Sequence, residues 1–232
     1  MTYEELIQKC HEFGLDLSEG QIEAFRRYAA LLKEWNEKIN LTSIVEESAV
    51  IEKHFYDSLL VGKSLSLGNR KIADVGSGAG FPGLALAIAY PSAKVTLIDA
   101  TKKKFAFLEE VKNQLGLTNV AFLQGRVEEL REYRETFDVV ISRGFASLRV
   151  FAEVGAPLVY VTGTLIAMKG PNVDEEIAEA KNILAKLSLR LKTRQEDVLP
   201  CGDARVSLYY AKDAASPKRF PRRWDEIQRV KI

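Results

Sequence analysis

The sequence predicts an α/β protein built on a mostly parallel sheet with helices on both faces, preceded by a helical extension. Two observations carry this. Across residues 67–170, apolar runs of strand length alternate with segments of helical period, the pattern of strand–helix–strand units. The first of those runs, Ile72–Val75, opens into the closely spaced glycines Gly76, Gly78, Gly80 and Gly83, after which Leu84, Leu86, Ala87 and Ile88 take up helical spacing. Strand, glycine turn and helix is the layout that brings backbone N–H groups and a helix N-terminus up to a ligand. With 232 residues, 47% of them hydrophobic, the chain can bury one sizeable core.

Residues 1–66 read as the helical extension. Thr2-x-x-Glu5 forms a capping box and Gly14 stops the helix; Ser18-x-x-Gln21 opens a second. Behind it Ile22, Phe25, Ala29, Leu32, Trp35 and Ile39 recur on one face, a core stripe. Two polar clusters follow, Asn40-Leu41-Thr42-Ser43 and His54-Phe55-Tyr56-Asp57-Ser58-Leu59. Spacing alone makes Asn40 and Ser43 caps and puts His54 on a surface.

Residues 67–215 hold the sheet. Lys94–Asp99 is the second strand, and Asp99 falls where a ribose-binding acid is expected, about 20 residues past the glycine loop. It could instead cap the next helix, a role also open to Thr101. That helix runs from Lys102 to Leu115 with Phe105, Leu108, Val111 and Leu115 on one face and Gly116 as its stop. Val120–Gln124, Phe137–Ser142 and Thr164–Met168 read as strands three to five. A further helix, Val173–Leu187, and two strand-like runs, the second being Val206–Ala211, stay in the same domain. In such a sheet ligands bind beyond the C-terminal strand ends. Those ends offer the glycine loop, Asp99, Arg126-Val127-Glu128 and Arg143.

Residues 216–232 form a basic C-terminal tail with Lys218, Arg219, Arg222, Arg223, Arg229 and Lys231, interleaved with Phe220 and Trp224. Pro217 and Pro221 favour an extended start. Two readings stand side by side: a segment for phosphate contacts and base stacking, and a solvated terminus.

Composition sets the outer limits. The net charge is +1, so a nucleic-acid surface must be a local patch. Cys10 and Cys201 show no CxxC or Cys/His clustering, which argues against a metal site and a disulfide scaffold. The first residues lack a basic stretch followed by an apolar run, so no signal peptide is expected, and no apolar run reaches membrane length. Cytoplasmic localisation and a monomer without membrane association are the expectation.

The glycine loop alone does not choose a cofactor. Gly78-x-Gly80-x-x-Gly83 fits a dinucleotide fingerprint, while Gly76-x-Gly78-x-Gly80 behind Asp74 is similar to motif I of the class I S-adenosylmethionine methyltransferases. The whole set of motifs is more specific. NLTS at 40–43, HFYDSL at 54–59, DVGSGAGFPG at 74–83, GRVEE at 125–129, SRGFAS at 142–147 and KG at 169–170 together resemble the glucose-inhibited division protein B family in order and spacing. Those are the small-subunit (16S) ribosomal RNA guanine-N7 methyltransferases, and the resemblance covers nearly the whole chain. It implies a Rossmann-like class I methyltransferase fold, S-adenosylmethionine as cofactor, and 16S ribosomal RNA or the small ribosomal subunit as partner. By resemblance, Gly76 and Phe81 contact the methionine and ribose portion, with Gly78 in the same loop. Asp99 is the ribose acid, Val127 and Glu128 lie on the adenine side, and Arg143 stands beside donor and target base as the catalytic residue. Asn40, His54, Asp57 and Arg126 match motif positions expected at RNA or at the active-site wall. The tail departs from the family: PRRWDEI stands where relatives often carry a PRKxGxP-like run.

The local chemistry agrees. Guanine N7 carries a free lone pair and needs no proton removed. The segment after the fourth strand, Ser142-Arg143-Gly144-Phe145, has neither an Asn/Asp-Pro-Pro-aromatic run nor a Pro-Cys nucleophile. Alignment of the reacting atoms is then the main task. A nicotinamide-dependent oxidoreductase and a non-catalytic RNA-binding protein are the rivals. The first needs a proton donor in a chain with only His11 and His54; the second leaves the loop and Asp99 without a role.

Overall fold

The computed structural model describes residues 1–229; Lys231, counted in the basic tail, lies outside them. Seven strands form one sheet in the order β3-β2-β1-β4-β5-β7-β6. They are β1 (Lys71–Val75), β2 (Lys94–Asp99), β3 (Val120–Gln124), β4 (Phe137–Arg143), β5 (Val159–Lys169), β6 (Leu189–Val198) and β7 (Ala204–Lys212). The first five pair in parallel, and β7 runs antiparallel to both β5 and β6. The near-continuous apolar runs of β1 and β4 follow from burial on both faces. The fifth strand starts at Val159, five residues ahead of the expected Thr164. Gly163 sits in an irregularity of the β4–β5 register, where a Cβ would lie 2.7 Å from the Asp138 carbonyl oxygen.

Two apolar clusters cover the two faces of the sheet. The first takes in α1 (Tyr3–His11), α2 (Glu19–Asn36), α5 (Gly83–Ala89) and α6 (Lys102–Gln114), so the helical extension shares its core with the sheet. Both predicted capping boxes form, on Thr2–Glu5 and Ser18–Gln21. Between α2 and the sheet, α3 (Glu47–Val50), a π-helical stretch Ile51–Tyr56, α4 (Asp57–Leu59) and a 3-10 turn Leu60–Lys63 run on without a break. A π-helical insertion is uncommon and concentrates at functional sites; this one carries His54. The second cluster packs α7 (Leu148–Gly155) and α8 (Asp174–Lys186) on the other face.

The tail docks on the sheet layer while its basic residues Lys218, Arg219, Arg223 and Arg229 stay exposed. Residues 216–229 dock on the second cluster through Phe220 and Ile227, both buried, and end in α9 (Trp224–Arg229). Glu153 of α7, fully buried, accepts from Arg222 Nε at 2.7 Å and from a terminal guanidinium nitrogen at 2.8 Å. Arg134 donates to the carbonyls of Phe220 and Ser216 at 2.5 and 2.7 Å. Burial of two large apolar side chains, together with a buried carboxylate that needs a cation, fastens the segment, and of the described basic residues only Arg222 is drawn in.

Candidate active site

Two cavities open at the C-terminal ends of the parallel strands, and both are lined by Gly144, just past β4. The first, about 340 Å³, is built from the ends of β1, β2 and β3 and includes Gly76, Asp99, Arg126, Val127, Glu128 and Phe145. Backbone conformation fixes the loop. Gly76 has φ +71, and a Cβ there would meet the Phe145 ring at 2.5 Å. Its N–H donates to the Ile98 carbonyl at 2.8 Å, which holds the turn against β2. Gly83 is needed for a different reason: a Cβ would lie 2.2 Å from Leu97 and 2.7 Å from the Asp74 carboxylate.

Asp99 is almost buried. Its oxygens accept from Gly78 N–H at 3.0 Å, Thr101 N–H at 2.8 Å and Lys104 Nζ at 3.3 Å. The acid therefore braces the loop and the start of α6 as well as facing the cavity, while the Thr101 side chain makes no cap. Glu128, also nearly buried, accepts from Arg126 Nε at 2.6 Å. Gly78 and Phe81 do not line this cavity. Phe81 instead lies stacked between Tyr28 and His54, at centroid distances of 5.2 and 4.5 Å, with the Arg143 guanidinium 5.2 Å above it.

The second cavity, about 560 Å³, is lined by Lys53, His54, Asp57, Arg143, Lys169 and Arg205, among others. Arg143 donates to the Lys53 carbonyl at 2.9 Å, to Asp57 at 3.1 Å and to His54 Nδ1 at 3.1 Å. Arg205 Nε stands 3.3 Å from the same Asp57 oxygen. A guanidinium only donates, so His54 Nδ1 must accept, and its Nε2–H then donates to Thr42 Oγ1 at 3.0 Å. Burial, with Arg143 beside it, pushes the His54 pKa down to about 3, so the ring is neutral. The surface position expected for His54 is thus corrected: its ring is buried on Phe81. Asn40 is exposed and lines neither cavity; it is Asn36 whose side chain accepts from Leu41 and Thr42 N–H. Lys53, Arg205 and Trp224 carry no motif of their own, and only contact across the fold brings them to the cavities.

Below the loop, Asp74 is fully buried. Oδ2 accepts from Gly83 N–H at 2.8 Å, and Oδ1 has no hydrogen-bond partner among the described residues. Desolvation pushes its pKa up to about 7. The native state therefore keeps a proton that the unfolded chain loses near pH 4, and stability falls as pH rises from about 4 to about 7. Asp74→Asn keeps an acceptor for Gly83 and cannot ionise. Its urea midpoint should gain on that of the unaltered protein across this window and level off above it. Parallel pH profiles for the two proteins would show that Asp74 does not titrate there.

A sheet in this order, with a glycine loop after β1 and an acid ending β2, has the Rossmann-like fold of the class I methyltransferases. A solved S-adenosylmethionine-dependent methyltransferase from Aquifex aeolicus shares the fold, with a TM-score of 0.53 and 19% identity over 78% of this chain and 98% of that one. The family described as rRNA small subunit methyltransferase G (GidB) matches residues 21–198. Ribosomal RNA small subunit methyltransferase G of Thermoanaerobacter sp. (strain X514) is 42% identical over 98% of this chain and 97% of its own length. The protein of the same name from Leuconostoc citreum (strain KM20) is 42% identical over 96% and 95%. The chain belongs to the rRNA small subunit methyltransferase G family. It is an S-adenosylmethionine-dependent methyltransferase.

The first cavity fits that cofactor. Its volume lies within the roughly 300–1,000 Å³ of small-molecule sites. Asp99 and Glu128 present carboxylates for hydroxyl and amino donors, and Ile98, Val127 and Phe145 present apolar surface for a purine. Asp99→Asn removes a charged acceptor and should weaken S-adenosylhomocysteine binding by about 1.5–3 kcal/mol, measured by titration calorimetry. Unchanged affinity would take Asp99 out of the site.

Proposed function

We propose that the chain methylates N7 of a guanine in 16S ribosomal RNA, with cofactor in the first cavity and the target base in the second. The observation that carries this is the meeting of the two cavities at Gly144, next to Arg143. A pocket that pairs Asp99 and Glu128 with Lys104 and Arg126 around apolar surface adjoins one lined by Lys53, Arg143, Lys169 and Arg205, whose acidic partners are Asp203, Asp57 and Glu176. Basic side chains in that number suit a polyanion, and Arg143 is suited to the guanine O6 acceptor beside N7.

The cofactor, when bound, supplies a methyl group on a positively charged sulfur. What the chain itself does is hold and orient. Asp57, His54 and the Lys53 carbonyl fix the Arg143 guanidinium from three directions, so its position costs nothing to reorganise when the base arrives. His54 is spent as an acceptor for Arg143 and is not poised to take a proton. That suits an acceptor nitrogen whose lone pair is already free. Single-turnover methylation should accordingly show no limb from a general base between about pH 6.5 and 8.5. Asp74, near 7, is the group that could imitate one, and a limb that disappears in Asp74→Asn belongs to the loop.

The test is to incubate the purified protein with labelled S-adenosylmethionine and either 16S ribosomal RNA or small subunits, then digest to nucleosides. Label in 7-methylguanosine is the expected result; label in any other nucleoside would overturn the proposal.

A further inference from the structure

We infer that Trp224, carried by the C-terminal helix α9, is a cofactor contact that walls the nucleoside end of the first cavity. This rests on reading that cavity as the cofactor site. The ring lines the cavity beside Arg126, Glu128 and Phe145. The Arg126 guanidinium sits 5.1 Å from its centroid, and the Phe145 ring 6.4 Å away at 55°.

The ring is held by a fastened segment. Arg222, two residues earlier, is paired to the buried Glu153 by both Nε and a terminal nitrogen, and Ile227, three residues later, is fully buried. Trp224 is thereby presented to the cavity at a set height. It also steadies Glu128 indirectly. Arg126 is bonded to Glu128 at 2.6 Å and rests on the indole, a cation–π contact that limits where a side chain still 45% exposed can go. One indole therefore supplies apolar wall to a purine and, through Arg126, keeps the neighbouring carboxylate turned toward it. The tail so placed serves the cofactor.

The chain has two tryptophans, and Trp35 packs on Phe107 in the other cluster. That makes the proposal readable by fluorescence. In a Trp35→Phe background, Trp224 emission should change on titration with S-adenosylhomocysteine and saturate at the dissociation constant given by calorimetry. Trp224→Ala should weaken S-adenosylhomocysteine binding about tenfold, the scale of an aromatic contact to a base. Trp224→Phe should recover most of that loss, and KM for S-adenosylmethionine should move more than kcat. Unchanged emission at saturation overturns the proposal, even if the alanine variant fails to fold. So does wild-type affinity in Trp224→Ala while Asp99→Asn binds weakly; in that case the cofactor reading stands. Wild-type affinity in both variants would overturn the reading of the cavity itself.

Discussion

An RNA with 7-deazaguanine at the target position will bind this protein and will not be methylated. Replacing N7 by carbon removes the attacking lone pair while leaving the pairing edge, O6 and the phosphates in place. The contacts open to Lys53, Arg143, Lys169 and Arg205 are therefore nearly all kept, and binding should stay within a few-fold of the unmodified RNA. The effect on transfer should be all-or-none, because the carbon at that position has no lone pair to attack the methyl group. Activating a carbon would need a nucleophile or base, and the histidine there is neutral with its free nitrogen occupied by Arg143. Binding by filter retention and label transfer by single-turnover assay separate the two effects. Transfer at the normal rate would mean that another atom accepts the methyl group.

The second large effect is expected at Asp57. This carboxylate is buried, 3% exposed, and faces Arg143 at 3.1 Å and Arg205 at 3.3 Å. Asp57→Asn keeps its volume and removes the charge that holds two guanidinium groups together. Removing one partner of a buried pair costs about 3–5 kcal/mol. The arginine side chains keep 19% and 26% exposure, so water takes up part of the loss and the low end, about 3 kcal/mol, is expected in urea unfolding. Methyl transfer should fall further than stability explains. One of the three anchors of Arg143 loses its charge, and a shift of about 1 Å at a positioned group costs on the order of 100-fold. Cofactor affinity should hardly move, since Asp57 does not line the first cavity. A stability loss below about 0.5 kcal/mol would show that solvent, not Asp57, balances the two cations.

The legible part of this protein is the part written in neighbouring residues. Apolar runs give the five parallel strands, the capping boxes give the first two helices, and the glycine loop gives a turn at φ values that a side chain would oppose. Asp99, Val127 and Glu128 could be placed because each lies at or just after the end of a parallel strand, and parallel topology brings those ends together. The family was legible too, through motifs scattered along the chain.

Other features were settled only by contact between distant segments. His54 and Asp57 meet Arg143 across 89 and 86 residues, so no periodicity could show that the histidine is buried and neutral. The direction of β7 follows from the β6–β7 hairpin slotting in beside β5, which the apolar pattern of either strand leaves open. The tail is the sharpest case. Its composition predicts a solvated or RNA-seeking end, because charge is visible in sequence. Its placement is decided by Glu153, a buried carboxylate 69 residues away that Arg222 neutralises, and by Phe220 and Ile227, which leave water for the second cluster. Local preference acts through bonded neighbours and can be read along the chain. The desolvation of a charge or a ring depends on what the rest of the fold places over it, and that is fixed only when the layers pack.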